Sequence, residues 1–301
     1  MGLDEVMGTA QRLTVSVEAL TALTAALRVR AEGLEPAPEV AAALDRVVAA
    51  LGIGSPDDLG DLAPAQMGAV VGFSRAFFRQ AHELMEQPDR VPGWEPDDPV
   101  LLTSQGRASM VIAGLLDRVA PGLGDLAARL RAPDAAVLDV GTGVGMLAVE
   151  LCRTFPGLHV VGIDVWPRVL DLAKANVAEA GLGDRITLRA QAVQDLADRD
   201  AYEAVWLPGP FLPRPVVPAA LAATMRALRP GGWVMFGLYA APPDDLARAV
   251  TDLRIVRCGG HPWAPDEAAT LLGSAGFADV TVVERTWNAP VGFVVGRRTT
   301  S

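Results

Sequence analysis

The stretch that decides the fold lies at residues 137–145 and reads VLDVGTGVG. A second run rich in β-branched residues, VVGID, occupies residues 160–164, and the segment from Met146 to Thr154 between them has helical character. Two short strands that bracket a helix predict a βαβ unit. The glycines let the chain turn sharply and let a ligand approach bare backbone. The acidic residue that closes the second strand, Asp164, can accept two hydrogen bonds from a ribose diol.

The spacing of the glycines separates two classes of cofactor. Nicotinamide and flavin enzymes use G-x-G-x-x-G, in which the last glycine lets a helix pack closely while its N-terminus meets a pyrophosphate. Here Gly141, Gly143 and Gly145 follow G-x-G-x-G. Met146 therefore stands where the third dinucleotide glycine would be. Asp139, two residues before Gly141, adds a carboxylate that suits a cationic ligand better than a pyrophosphate.

This pattern resembles motif I of the class I S-adenosylmethionine-dependent methyltransferases. Later segments resemble the rest of that family's core in order and interval, over about residues 105 to 298, roughly two thirds of the chain. They are RITL at 185–188, AVWLP at 204–208, LRPGGWV at 228–234, AGF at 275–277 and VTVV at 280–283. The resemblance implies an α/β, Rossmann-like methyltransferase fold, a mostly parallel sheet with a terminal antiparallel hairpin. Extended runs at 280–285 and 291–297 are expected to form that hairpin.

The N-terminal part shows no comparable signature. Helical spacing of apolar residues is present over three segments: 10–32, 38–52 and 67–85. Four prolines between residues 87 and 99 predict a semi-rigid joint, and a further helix is expected over 103–120. We therefore expect an all-helical N-terminal domain at 1–95, serving as a lid or dimerisation unit. A methyltransferase domain is expected to follow at 96–301.

Composition narrows the classes of function. The chain has 301 residues, 50% of them hydrophobic, enough for one large or two modest domains. It has no uninterrupted apolar run of membrane length and no basic N-terminal region, which predicts a cytoplasmic protein without a signal peptide. Two cysteines make no disulfide framework. The net charge of −10 argues against a nucleic-acid partner.

The family resemblance assigns cofactor roles to residues around the strand ends. Gly141 and Gly143 are expected to pack their backbone against the methionine and ribose, and Asp164 to accept hydrogen bonds from the ribose. Asp139 is expected to hold the loop or to act through water on the cofactor's amino group. The other cofactor-binding residues implied are Val165 and Trp166 around the adenine, Gln191 and Ala192 at its amino group, Leu207 at the exit of the fourth strand, and Gln105 and Arg107 at the cofactor carboxylate. A core position for Trp166 and an interdomain ion pair for Arg107 remain open alternatives.

The acceptor site is expected to be rich in aromatic side chains. Its candidate residues are Trp94, Phe211, Tyr239, His261 and Trp263. The last two belong to a rigid loop, CGGHPWAP at 258–265, in a region that often lines the acceptor pocket of similar enzymes. His261 is the preferred general base for a hydroxyl acceptor, because imidazole titrates near neutral pH. A structural role for His261 is the other interpretation.

The segment after the fourth strand limits the kinds of methyl acceptor and the use of a metal ion. It reads LPGPFLP at 207–213 and lacks the Asp/Asn-Pro-Pro-aromatic motif found in methyltransferases that modify amines of nucleic acids. It also lacks carboxylates for a hard cation. The sequence therefore predicts metal-independent methylation, preferably of an oxygen, on a small and partly hydrophobic molecule.

Several alternatives to this function stay open. One is a cyclase or other non-methylating enzyme of the same fold that uses bound S-adenosylmethionine as a scaffold. Another is a non-catalytic cofactor-binding assembly protein. A nicotinamide oxidoreductase is disfavoured by Met146, and a homodimer through the N-terminal helices is a further expectation.

Overall fold

The computed structural model describes residues 2–53, 59, 62–94, 98–240 and 242–299. The chain divides into two compact units, one made of Met1–Pro88 and Asp98–Gln105, the other of Asp89–Asp97 and Gly106–Ser301. The division crosses the proline-rich joint twice, so part of that joint belongs to each unit.

The first unit is helical. Its helices are α1 (Leu3–Glu32), α2 (Pro38–Ala50), α3 (Pro64–Glu86) and the first part of α4 (Pro99–Ser109). Helix α1 ends at Gly33, which has a φ of 63° and donates its N–H to the carbonyl of Val29, a glycine C-cap. The core of this unit consists of Ala26, Leu27, Val48, Leu59, Met67 and Val71. Helix α1 begins before the predicted residue 10, and this added part carries exposed apolar side chains.

The second unit contains a seven-stranded sheet with the order β3-β2-β1-β4-β5-β7-β6. Its strands are β1 (Ala136–Val140), β2 (His159–Asp164), β3 (Ile186–Ala190), β4 (Tyr202–Pro208), β5 (Leu228–Tyr239), β6 (Ala278–Val282) and β7 (Val291–Arg297). Strands β1 to β5 pair in parallel, whereas β7 pairs antiparallel with both β5 and β6. The predicted fold class and its terminal hairpin are confirmed.

Helices cover both faces of this sheet. They are α5 (Val111–Val119), α6 (Leu126–Leu130), α7 (Met146–Thr154), α8 (Pro167–Glu179), α9 (Val217–Ala227), α10 (Asp245–Arg257) and α11 (Pro265–Ser274). Successive residues of β1 enter opposite cores: Val137 packs with α5 and α7, and Leu138 with α9 and α11. Because both faces are covered, the central strands are apolar at nearly every position.

Two local features differ from the sequence patterns. The expected single helix at 103–120 is two helices, α4 and α5, which meet at Met110. The LRPGG segment lies within β5 instead of before it. Leu228 pairs with Tyr202 and Trp233 with Ala204, so five steps along β5 match two along β4 and form a bulge.

Candidate active site

The loop after β1 presents bare backbone. Gly141, Gly143 and Gly145 have φ values of 66°, 55° and 77°, which residues with a Cβ rarely adopt. A Cβ on Gly143 would have only the carbonyl oxygen of Gly141 within 4 Å, at 3.9 Å, whereas one on Gly145 would lie 3.2 Å from the Cβ of Ala173. The space in front of Gly143 is therefore open to a ligand, while Gly145 permits close packing on α8.

Asp139 is buried beneath this loop, with 1% of its surface exposed. Its Oδ2 accepts a hydrogen bond of 2.7 Å from the Thr142 hydroxyl, and the Thr142 N–H donates to the carbonyl of Ile163 at 3.0 Å. Burial raises the pKa of Asp139 to about 7; the Thr142 bond opposes this rise and the charge of Asp164 adds to it. The contact with Thr142 corresponds to the loop-holding role expected for Asp139.

Asp164 joins the two loops that follow β1 and β2. Its Oδ2 accepts from the Gly143 N–H at 2.9 Å and its Oδ1 from the Trp166 N–H at 3.0 Å. Burial raises the pKa of Asp164, and these backbone bonds oppose the rise. A carboxylate oxygen can accept more than one hydrogen bond, so acceptor capacity is left for ribose hydroxyls. Beside it, Val165 is 72% exposed and Trp166 is half-buried at the start of α8.

The next three cofactor candidates, Gln191, Ala192 and Leu207, lie at the carboxyl ends of β3 and β4 and differ in burial. The Gln191 N–H donates to the carbonyl of Asp164 at 2.9 Å, and its side-chain amide donates to the carbonyl of Asp195 at 3.0 Å. The side-chain oxygen of Gln191 is thus left as an acceptor, and half-buried Ala192 follows it. Leu207 is fully buried in the core between the sheet and α9, so only its backbone is available to a ligand.

The two candidates for the cofactor carboxylate fall in different units. Gln105 ends the segment that packs with the helical unit, whereas Arg107 belongs to the second unit. Arg107 is exposed. Within the described ranges, no ion pair involves its guanidinium.

Three of the acceptor candidates come together in the second unit. The ring centroids of Trp94 and Phe211 lie 5.9 Å apart, and those of Phe211 and Tyr239 lie 6.1 Å apart. Phe211 follows β4 and Tyr239 ends β5, so this aromatic cluster lies at the carboxyl ends of adjacent strands. Desolvation raises the pKa of Tyr239 to about 12. Its hydroxyl therefore stays protonated at neutral pH and can donate a hydrogen bond.

Trp94 is positioned by the first part of the proline-rich joint. The Arg90 guanidinium and the Gly93 N–H both donate to the carbonyl of Arg257, at 3.1 and 3.0 Å. Gly259, with a φ of 80°, lies so close that a Cβ there would be 3.3 Å from the Cα of Gly93. Hydrogen bonds and close packing therefore hold this part of the joint against the C-terminal end of α10.

His261 and Trp263 belong to a second cluster, with Arg214 and Glu267. The rings of His261 and Trp263 lie 4.5 Å apart, and the buried Trp263 indole donates to the carbonyl of Gly209 at 3.1 Å. Glu267 accepts from Arg214 at 2.8 Å, and its other oxygen lies 3.5 Å from His261 Nε2. Arg214 Nη1 is also 3.3 Å from that nitrogen, so the tautomer decides which partner His261 bonds.

A cleft of about 490 Å³ adjoins this second cluster. It is lined by Arg214, Pro218, Trp263, Asp266, Glu267, Thr270, Leu271 and Ser274. None of the candidate cofactor residues lines it. The cleft therefore does not unite the glycine-rich loop with the acceptor candidates.

Two residues that shape the glycine-rich loop were missed from the sequence. Thr142 bridges the loop to Asp139, and the absence of a side chain at Gly162 makes room for it, since a Cβ there would lie 2.7 Å from the Thr142 hydroxyl. Asn176 of α8 donates to the carbonyl of Val144 at 2.8 Å. The signal for Asn176 was a polar side chain next to the apolar stripe of its helix.

The parallel strand order, the open backbone at Gly143 and the carboxylate of Asp164 define an α/β domain that binds a nucleoside-containing cofactor. A profile described as a methyltransferase domain matches residues 137–232. The chain is 30% identical over 165 residues to the ubiquinone biosynthesis O-methyltransferase of Nitrosomonas europaea, an alignment that covers 52% of this chain and 68% of that protein. It is also 31% identical to the release factor glutamine methyltransferase of Rhodopirellula baltica, over 40% of each chain.

The chain belongs to the class I S-adenosylmethionine-dependent methyltransferases. It is an enzyme with S-adenosylmethionine as its cofactor. Its fold is shared by an O-methyltransferase family protein from Burkholderia thailandensis, with a TM-score of 0.69 at 16% identity and coverage of 100% of this chain and 99% of the other. Among the described residues, no helix is both long and apolar enough to cross a membrane.

Proposed function

We propose that this enzyme transfers the cofactor's methyl group to an oxygen of a small, partly hydrophobic acceptor, and that the reaction needs no metal ion. The observation that carries the acceptor class is the aromatic cluster of Trp94, Phe211 and Tyr239 at the exits of β4 and β5. Flat aromatic surfaces with one hydroxyl donor suit a ligand that is apolar and carries few polar groups. The similarity to a ubiquinone biosynthesis O-methyltransferase supports an oxygen acceptor.

The cofactor would be held at the loop after β1. Gly143 leaves room for it, Asp164 accepts from its ribose, and the oxygen of Gln191 accepts from its adenine amino group. Exposed Arg107 pairs with its carboxylate. When bound, S-adenosylmethionine supplies a methyl group on a sulfonium, which is already activated for transfer. The protein's task is therefore to orient the acceptor and to exclude water.

A hydroxyl acceptor also needs a group that removes its proton. His261 serves as this general base in the proposed mechanism. A proton on its Nε2 directed at Glu267 leaves the Nδ1 lone pair as the basic atom. Tyr239, protonated at neutral pH, donates a hydrogen bond to the acceptor and helps to orient it.

The deciding experiment measures product mass. The protein is incubated with S-adenosylmethionine and a panel of phenols, catechols, quinols and amines, and S-adenosylhomocysteine formation is followed with the mass of each acceptor. Methyl transfer adds one CH₂ unit to a phenolic acceptor. A product of unchanged mass identifies a cyclase or another non-methylating enzyme, and cofactor binding without turnover identifies an assembly protein. Gly143→Val, which fills the ligand space, is the inactive control.

We also infer that α1 joins two copies of the chain. Its exposed residues Leu3, Val6, Leu13 and Val17 form, with Ala10, a stripe that follows heptad spacing. An antiparallel second copy of α1 offers a matching stripe.

A further inference from the structure

We propose that Gly106 is a positioning residue for the cofactor, because its missing side chain lets the last part of α4, which belongs to the second unit, pack directly against the glycine-rich loop. A Cβ at Gly106 would lie 2.3 Å from Cγ2 of Val144 and 3.1 Å from the sulfur of Met146. Carbon atoms pack best at about 3.5 to 4.0 Å, so any side chain at this position must displace Val144. The inference rests on the proposed binding of the cofactor in front of Gly143.

Val144 has little room to move away. It is buried, and its β-branched side chain is stiff about χ1. Asn176 bonds its carbonyl oxygen at 2.8 Å. The preceding Gly143 N–H is bonded to Asp164 at 2.9 Å, and the following Gly145 packs against α8. A push on Val144 is therefore passed to the peptide groups at 143–145 that face the cofactor.

Helix propensity alone predicts the opposite effect of a substitution at Gly106. Glycine disfavours a helix interior and alanine favours it, so Gly106→Ala would strengthen α4 taken alone. Gly114 offers a matched control in α5, because it is exposed and a Cβ there would meet nothing within 4 Å. A loss of cofactor affinity at Gly106 alone thus reports the contact with the loop.

The experiment is calorimetry of the full-length protein with S-adenosylhomocysteine. We expect Gly106→Ala to raise Kd at least about tenfold, equivalent to 1.4 kcal/mol. Gly114→Ala is expected to stay within about twofold of the parent. The pair Gly106→Ala/Val144→Ala removes the 2.3 Å clash with Val144 and leaves only the closer approach to the flexible Met146 side chain. Its Kd should therefore match that of Val144→Ala alone, a non-additive result that marks a direct contact.

Two outcomes would overturn the inference alone. One is a parent that binds S-adenosylhomocysteine and a Gly106→Ala variant that binds it equally well. The other is a double variant that binds far more weakly than Val144→Ala, and this comparison decides the matter even if Gly106→Ala by itself does not fold. A parent that does not bind S-adenosylhomocysteine overturns the proposed cofactor site and this inference with it.

Discussion

Two carboxylates under the glycine-rich loop act in different ways because their surroundings differ. Asp139 is buried and bonded to the Thr142 hydroxyl. Asp164 is half-buried and bonded to backbone N–H groups of two loops. Asp139 stabilises the loop through the Thr142 side chain. Asp164 stabilises it through the Gly143 N–H and also faces the proposed ribose site.

Asp164→Ala is expected to weaken cofactor binding by about 1 to 3 kcal/mol, because a charged acceptor is lost. The bond to Gly143 is lost as well, so we also expect a lower Tm. Calorimetry with S-adenosylhomocysteine and a thermal melt measure the two effects. Asp171→Ala, an exposed carboxylate on α8, is the control. Unchanged affinity in Asp164→Ala would exclude the ribose role.

Asp139→Asn is expected to change how stability depends on pH. The pKa of Asp139 is raised to about 7 in the folded protein, so between about pH 4 and 7 the folded state binds a proton that the unfolded state lacks. The free energy of unfolding of the parent therefore falls as pH rises through this window. Asparagine keeps an oxygen for Thr142 but does not ionise.

The advantage of Asp139→Asn over the parent should accordingly grow by on the order of 3 kcal/mol from pH 4 to pH 8. Urea unfolding of the ligand-free protein at several pH values measures it. Asp184→Asn, at an exposed position, controls for the general loss of one charge. Parallel stability profiles for parent and Asp139→Asn would contradict the prediction.

His261→Ala is expected to lower kcat by on the order of 10² to 10⁴ with a hydroxyl acceptor, while cofactor affinity changes little. His261→Gln can still bond Glu267 but takes no proton, so it should be nearly as impaired. Steady-state kinetics compare both with His82→Ala, an exposed histidine of α3. If the glutamine variant restores most activity, His261 only orients the acceptor; normal turnover in both would make the residue structural.

At the scale of elements, the spacing of apolar residues does not show where helices begin and end. The expected helix at 103–120 is interrupted at Met110, whose N–H bonds the carbonyl of Arg107 three residues back, while the Ser109 hydroxyl bonds the carbonyl of Gly106 at 2.7 Å. Helix α1, in contrast, begins earlier than predicted, at Leu3. Its residues 3–18 are exposed except Gly8, and they include an exposed apolar stripe.

Leu13→Glu on that stripe is expected to convert a dimer into a monomer, because it places a charge in the proposed contact between two α1 helices. Sedimentation equilibrium measures the mass. Gln11→Glu adds the same charge at another exposed position of α1 and should leave the dimer largely intact. Leu13 is 52% exposed, so the monomer fold should tolerate the change. A parent that sediments as a monomer would rule out the role of α1.

At the scale of the whole molecule, the two compact units share the proline-rich joint. Residues 89–97 pack with the methyltransferase unit and 98–105 with the helical unit. The joint therefore contributes Trp94 to the aromatic cluster in addition to connecting the units. The role of the helical unit as a lid remains a prediction from the sequence.

The enzyme is expected to remain fully active in excess EDTA and to gain nothing from added magnesium. The exit of β4 reads Leu207-Pro208-Gly209 and offers no carboxylate to a hard cation. Turnover is measured with the acceptor identified by the mass assay, after dialysis against the chelator. Activity that disappears in EDTA and returns with magnesium would show that a metal takes part.

The sequence by itself determined the class of fold and the cofactor. Three local or periodic signals can be read without knowing any long-range contact. They are the glycine spacing after β1, the acidic residue that closes β2 and the order of the later strands. These signals also located the cofactor candidates, since ligands bind at the carboxyl ends of parallel strands.

Only the tertiary structure decided which side chains meet. Leu207 follows the strand pattern, yet the α9 face of the sheet buries it. Trp94 and Tyr239 lie 145 positions apart in the chain, and both pack against Phe211. Thr142 bonds the nearby Asp139, but the room for its hydroxyl comes from Gly162, and Gly106 lies against Val144; Gly162 and Val144 are brought close to these residues only by folding. Packing contacts of this kind depend on distances between elements, which periodicity does not encode.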